Sequence, residues 1–195
     1  GTSSDYTLTP GSPATSADIL WKAAGTYTLE FRETSTTGSC ITLVTKTIEV
    51  GANTFNVSTS SPSAMCNAAT NVPNVTPDYV THVQFSVAMT TGTTFSPNWQ
   101  FTFSLTPTAG VISNVKVDGA AQSGSGPYTV TGLTSTNGSK IVIVECDITG
   151  NVNTFQQVAM SISNVKENTY NTPENNIADN AATQAINAIP STSSI

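Results

Sequence analysis

Between Thr81 and Thr90 every second residue is apolar: Val83, Phe85, Val87 and Met89 alternate with His82, Gln84, Ser86 and Ala88. A period of two is the repeat of an extended strand, whose side chains point to opposite faces in turn. The pattern returns downstream. Trp99, Phe101, Phe103 and Leu105 share one phase, as do Val142, Val144, Cys146 and Ile148, and then Val158, Met160 and Ile162. Strands of this kind, half buried and joined by Gly-, Pro- and Asn-bearing turns, predict a β-sandwich rather than an α/β fold. Composition agrees, because 34 threonines and few helix formers favour extended structure.

The spacing predicts strands near Tyr6–Thr9, Ala17–Trp21, Gly25–Arg32 and Cys40–Val50, then a short linker at Gly51-Ala52-Asn53. Beyond it, strands are expected near Thr54–Ser60, Tyr79–Thr90, Asn98–Thr106, Val111–Asp118, Pro127–Leu133, Lys140–Thr149, Thr154–Val165 and Thr183–Ile189. Ala and Gln allow a helix over Ile177–Ile189 as the competing reading, and the strand is preferred. The organisation is therefore two β-domains, residues 1–52 and 53–195. The first is incomplete, since four strands fall short of the seven of an Ig-like sandwich. In its hairpin, Tyr27, Leu29 and Phe31 face one way. The return strand begins with Ile41 and Leu43 and switches phase to Val44, Ile48 and Val50, which predicts a bulge near Leu43. The open edge of such a half-domain would template pairing with another chain; the second domain packing against this face, or a strand added by a neighbouring subunit, would complete it, and residues 1–10 and 181–195 are the expected donors.

Charge is sparse: 6 Lys and Arg against 12 Asp and Glu give a net charge of −6. Six cations make neither the basic stripe that nucleic acid needs nor the polybasic patch that anionic lipid attracts. No apolar run reaches the length of a membrane span. The 23 serines and 17 asparagines beside the threonines suit an extracellular surface. The chain opens at Gly1 without a Met, which reads as a secreted chain whose signal peptide has been removed. Of the three cysteines, Cys40, Cys66 and Cys146, none has zinc-site spacing. Cys146 points inward and Cys66 follows the first strand of the second domain at a crossing between sheets. They are the expected disulfide, leaving Cys40 buried and free.

Catalysis is poorly provisioned. His82, the single histidine, shares its phase with Gln84 and Ser86 and is expected on the solvent face, with no nucleophile elbow to serve. Glu145 and Asp147 lie on one face of a strand, about 7 Å apart by strand rise, a separation a glycosidase could use. Their neighbour Cys146 takes the inward face, so this pair looks out to solvent or an interface. Glu174, Asn175, Asn176, Asp179 and Asn180 form an oxygen-rich cluster, and Glu174, Asn176 and Asp179 are its candidate calcium ligands. Asx residues also build turns for their own backbone reasons, and the spacing is not that of an EF-hand. Trp99 is in phase with Phe101 and belongs to the core. Trp21, at a strand end, is the candidate ligand platform. The sequons at Asn56, Asn74 and Asn137 are expected by chance in so Asn- and Thr-rich a chain.

Residues 17–50, ADILWKAAGTYTLEFRETSTTGSCITLVTKTIEV, resemble the second half of the PKD/Ig-like repeats of large secreted surface proteins of Bacteroidetes. The matching features are a strand ending in Trp21, the Gly25-Thr26-Tyr27-Thr28 start, the Glu33-Thr34 run-out and Cys40 after a Gly-Ser turn. Residues 158–190, ending TPENNIADNAATQAINAIP, are similar to the closing strands of a second Ig-like module. The resemblance implies tandem Ig-like modules with a structural or adhesive role, as in adhesins and gliding filaments. The expected function is a non-enzymatic subunit or stalk segment of a surface filament. Its partners would be copies of itself or neighbouring Ig-like modules, and it would need no cofactor. The alternative is a carbohydrate- or protein-binding module with a surface glycan or protein receptor, marked by an exposed aromatic row.

Overall fold

The computed structural model describes residues 3–11, 16–34, 41–66, 78–91, 98–134, 141–151, 153–168 and 171–189. These are all-β, with no helix among the described residues. The strands are β1 (Tyr6–Pro10), β2 (Ala17–Trp21), β3 (Gly25–Thr34), β4 (Ile41–Val50), β5 (Asn56–Ser60), β6 (Met65–Cys66) and β7 (Asp78–Thr91). They continue as β8 (Asn98–Pro107), β9 (Val111–Val117), β10 (Ala120–Ala121), β11 (Tyr128–Thr134), β12 (Ile141–Asn151), β13 (Gln156–Glu167) and β14 (Ala181–Asn187). The chain divides into two compact units, Gly1–Asn53 and Thr54–Ile195.

The larger unit is a β-sandwich of two five-stranded sheets, in the orders β10-β9-β12-β7-β5 and β11-β8-β13-β14-β6. Every pairing is antiparallel except that of β14 with β6. Alternation decides what lies between the sheets. Val83, Phe85 and Val87 from β7 meet Val142, Val144, Cys146 and Ile148 from β12 on one side. Trp99, Phe101 and Phe103 from β8, with Val158, Met160 and Ile162 from β13, supply the other, and all are buried. Removing this much apolar surface from water is what stabilises the unit, at roughly 1.5–3 kcal/mol for each large side chain fully buried.

Two of the strands that change phase midway do so at the same five residues. Ile112-Ser113-Asn114-Val115-Lys116 in β9 and Ile162-Ser163-Asn164-Val165-Lys166 in β13 each put two exposed residues in succession before a buried valine. Asn114 and Asn164 both have φ of 49°. Asparagine is among the few non-glycine residues that visit the left-handed region at low cost. The pairing register shifts at both places, between Glu145 and Asp147 on the partner of β9 and between Ser163 and Lys166 within β13. Each is a β-bulge. In β13 the slip turns Glu167 inward, and it is fully buried. Its Oε1 accepts from Thr172 N at 2.9 Å, and its N–H donates to Thr172 O at 2.9 Å, so a buried carboxylate fixes the start of the next loop.

The smaller unit is two antiparallel two-stranded sheets, β1 with β2 and β3 with β4. Aromatic contacts join them: Trp21 stacks on Tyr27 at 4.3 Å between ring centroids, and Tyr6 meets Trp21 edge-on at 6.1 Å. No described residue of this unit is buried. The bulge expected near Leu43 is not formed. The β3–β4 register runs unbroken from Gly25 opposite Val50 to Thr34 opposite Ile41. The phase change in the sequence instead places Ile41 and Leu43 on one face and Val44 and Ile48 on the other, leaving apolar side chains on both.

Residues 181–187 are not a spare donor strand. They are β14, hydrogen-bonded between β13 and β6 with Gln184 and Ile186 buried. Likewise β1 pairs within its own unit.

Candidate functional site

Two clusters of polar side chains stand out, both in the sandwich. The first lies on the outer face of the β7–β12–β9 ribbon. Cross-strand register sets His82 directly opposite Asp147 and Lys116 opposite Glu145. The imidazole reaches both carboxylates, Nδ1 at 3.1 Å from Asp147 Oδ1 and Nε2 at 3.4 Å from Glu145 Oε1. The β9 bulge turns Asn114 so that its Nδ2 donates to Asp147 Oδ2 at 2.9 Å. Partial burial would raise the Asp147 carboxyl. The hydrogen bonds from Asn114 and His82, with the charges of His82 and Lys116, outweigh it and hold the group below its ordinary value. The His82 side chain is 56% exposed. The arrangement is a ladder of polar side chains in contact across an open sheet face. Cys146, between the two acids in sequence, points into the core, where burial and the charge of Asp147 push its thiol up to about 12. It is a packed thiol rather than a nucleophile.

The second cluster involves the loop 171–180, which is tied to strands of both sheets. Asn175 N donates to Phe55 O at 3.0 Å, and Thr59 N donates to Asp179 O at 2.9 Å, both at the β5 side. Glu174 N donates to Val165 O at 3.2 Å, and Ile162 N to Asn180 O at 2.8 Å, on the β13 side. These ties bring four side chains together. Asn56 Nδ2 donates to Asp179 Oδ2 at 3.0 Å and to Thr90 Oγ1 at 2.9 Å. The Asn180 amide donates to Glu174 Oε1. Burial pushes the Glu174 carboxyl up, the charge of Asp179 adding to it against the hydrogen bonds from Asn180 and the Val57 backbone.

Of the expected calcium ligands, Glu174 and Asp179 are in this cluster and Asn176 is not. Asn176 is exposed, and its Oδ1 accepts from Ala178 N at 3.1 Å, closing an Asx turn in its own loop. The residues that take its place are Asn180 and Asn56. Asn56 is 123 positions from Asp179, and only its place opposite Thr91 at the start of the edge strand brings it there. Among the described residues no three His, Cys, Asp or Glu side chains form a metal-holding group.

The expected Cys66–Cys146 disulfide is absent, and both are free thiols. Cys146 is buried at the centre of β12 in one sheet. Cys66 is exposed at the end of the two-residue edge strand β6 in the other. Cys40 lies outside the described residues, as do Asn74 and Asn137. Trp21 is half buried with one face on Tyr27, which leaves less of it for a ligand than a free platform would offer. In the sandwich the aromatic row of Trp99, Phe101 and Phe103 faces the core. Among the described residues no helix is long and apolar enough to cross a membrane. Comparison of the sequence with protein-family models and with curated proteins gives no match.

Proposed function

We propose that the chain is a non-enzymatic structural segment of an extracellular filament or adhesin, built of tandem Ig-like modules. In this reading the first module is completed by strands or faces of a neighbouring module or a second copy. One observation carries it. In the small unit Phe31, Ile41, Leu43 and Val44 are 51–56% exposed and Leu20 is 67% exposed, on sheets of only two strands each. Isolated two-stranded ribbons are marginal in water, and three or more strands with a covered apolar face are needed for independent stability. Apolar side chains on both faces of β3–β4 call for cover on both. The resemblance of residues 17–50 to PKD/Ig-like repeats and the Thr-, Ser- and Asn-rich surface support the same setting.

Hydrogen exchange on the dilute, monomeric chain tests this. The amides of β1–β4 should exchange orders of magnitude faster than those of β7, β12 and β13, and should gain protection as concentration drives association. Protection of β3–β4 equal to that of the sandwich in a monomer would mean that the small unit completes itself, and the reading fails.

A further inference from the structure

We propose that the junction of β5, β13 and the loop 171–180 is a calcium site, with Glu174, Asp179, Asn180 and Asn56 supplying its side-chain oxygens. The second cluster contains an imbalance that hydrogen bonds within it do not repair. Asn56 Oδ1, Glu174 Oε2, Asp179 Oδ1 and Asn180 Oδ1 are each shielded from solvent and have no hydrogen-bond partner. Buried polar atoms in folded proteins are overwhelmingly partnered, so four at one place ask for a common cause. All four are oxygens with lone pairs and none is a donor.

The nearby donors are already committed. Both protons of the Asn56 amide are used, on Asp179 and on Thr90. The Asn180 amide is turned to Glu174, and Thr59 N–H is spent on the Asp179 carbonyl. The cluster holds two carboxylates, and the charge of Asp179 bears on Glu174. A site rich in acceptor oxygens, poor in donors and holding two carboxylates has the chemistry of a cation pocket.

The donor set selects the ion. Carboxylate and amide oxygens without a sulfur or an imidazole suit a hard cation rather than zinc or copper. Ligands drawn from a strand end and an irregular loop suit the flexible oxygen shell of calcium better than the strict octahedron of magnesium. Glu174 and Asn180 also line an open concavity with Ile162, Lys166, Asn171 and Ile177, which gives an ion and its remaining waters a way in. With only two formal charges the affinity falls in the range of extracellular modules, on the order of 10⁻⁴–10⁻³ M. The ion would tie the β5 and β13 sheets together through one loop. This inference rests on the sandwich alone and stands apart from how the small unit is completed.

The test uses the full chain, titrated with CaCl₂ after treatment with EGTA, followed by calorimetry and by the melting of the sandwich. Calcium at about 10 mM, well above that range of Kd, should raise Tm by about 5 °C through mass action, with a smaller rise from magnesium. It should also slow exchange of the Thr59 and Ile162 amides that hold the loop. Asp179→Asn combined with Glu174→Gln should remove the response to calcium. No heat and no shift in the wild-type chain overturns the proposal, whatever the fate of the variants. An undiminished response in the folded double variant overturns it as well, by placing the ion elsewhere.

Discussion

The two units are written in the same alphabet and end in opposite states. Tyr27, Leu29 and Phe31 alternate as cleanly as Val83, Phe85 and Val87, yet Phe31 is 56% exposed and Phe85 is 0% exposed. Alternation specifies that a segment is a strand and which residues share a face. It does not specify that anything covers that face. In the sandwich each five-stranded sheet has the other as its cover. The small unit has two ribbons, and the cohesion it shows comes from three aromatic rings and the Tyr27 hydroxyl, which donates to Ala23 O at 2.9 Å.

The largest effects should separate the units directly. Phe85→Ala and Phe103→Ala remove fully buried rings and should each cost about 3–5 kcal/mol in urea unfolding followed at the sandwich. Phe31→Ala, of identical chemistry, should change the monomer by no more than about 0.5 kcal/mol, as surface substitutions do. A large loss from Phe31→Ala in a dilute monomer would erase the contrast between units. Next in size is the phase change in β13. Asn164→Ala keeps the volume small but forces a Cβ residue without asparagine's local hydrogen bonding into φ of 49°, at about 1–2 kcal/mol. Asn164→Gly should lose much less, and equal losses would show that the side chain rather than the backbone matters.

A smaller, pH-dependent effect should belong to the sandwich face alone. The Asp147 carboxyl is held below its ordinary value in the folded chain, so its ionised form contributes stability above the ordinary carboxylate range. That contribution is lost as pH falls through that range and below it. Asp147→Asn should therefore flatten the acid limb of the stability curve, read as the midpoint of urea unfolding at each pH. An acid limb identical to that of the wild type would show the ladder to be without consequence. Smallest in free energy, and sharpest as a marker, is thiol reactivity. Under native conditions Cys66 should alkylate readily and Cys146 should not, with peptide mapping as the readout.

Much of the sandwich was legible because its strands are long and its inner faces strictly periodic. Val142, Val144, Cys146 and Ile148 are all buried as their phase requires. What escaped lies where neighbours rather than local pattern decide. The two-residue strands Met65–Cys66 and Ala120–Ala121 exist only because β14 and β9 present edges to them. The inward turn of Glu167 follows from the slip at Asn164, and the repeated Ile-Ser-Asn-Val-Lys run was its available signal. The disulfide expectation took burial of Cys146 for pairing, although a free cysteine is itself a common core residue. The sequence placed His82, Glu145 and Asp147 on outer faces, but their contact needs the β7–β12 register. Asn56 could be joined to Asp179 only by the fold.

The twin bulges bear on what happens when the sandwich is pulled. A regular strand can slide past its neighbour by two residues and recover both its facing and its hydrogen bonds, so its alignment resists shear only through side chains. A bulged strand has no such second seat. Sliding β13 along β8, or β9 along β12, by two residues would move the left-handed position from asparagine onto Ile or Lys, where that backbone is costly. Each of these two bulges thus acts as a key in a keyway. Under tension such a sheet can be broken but has no easy way to creep.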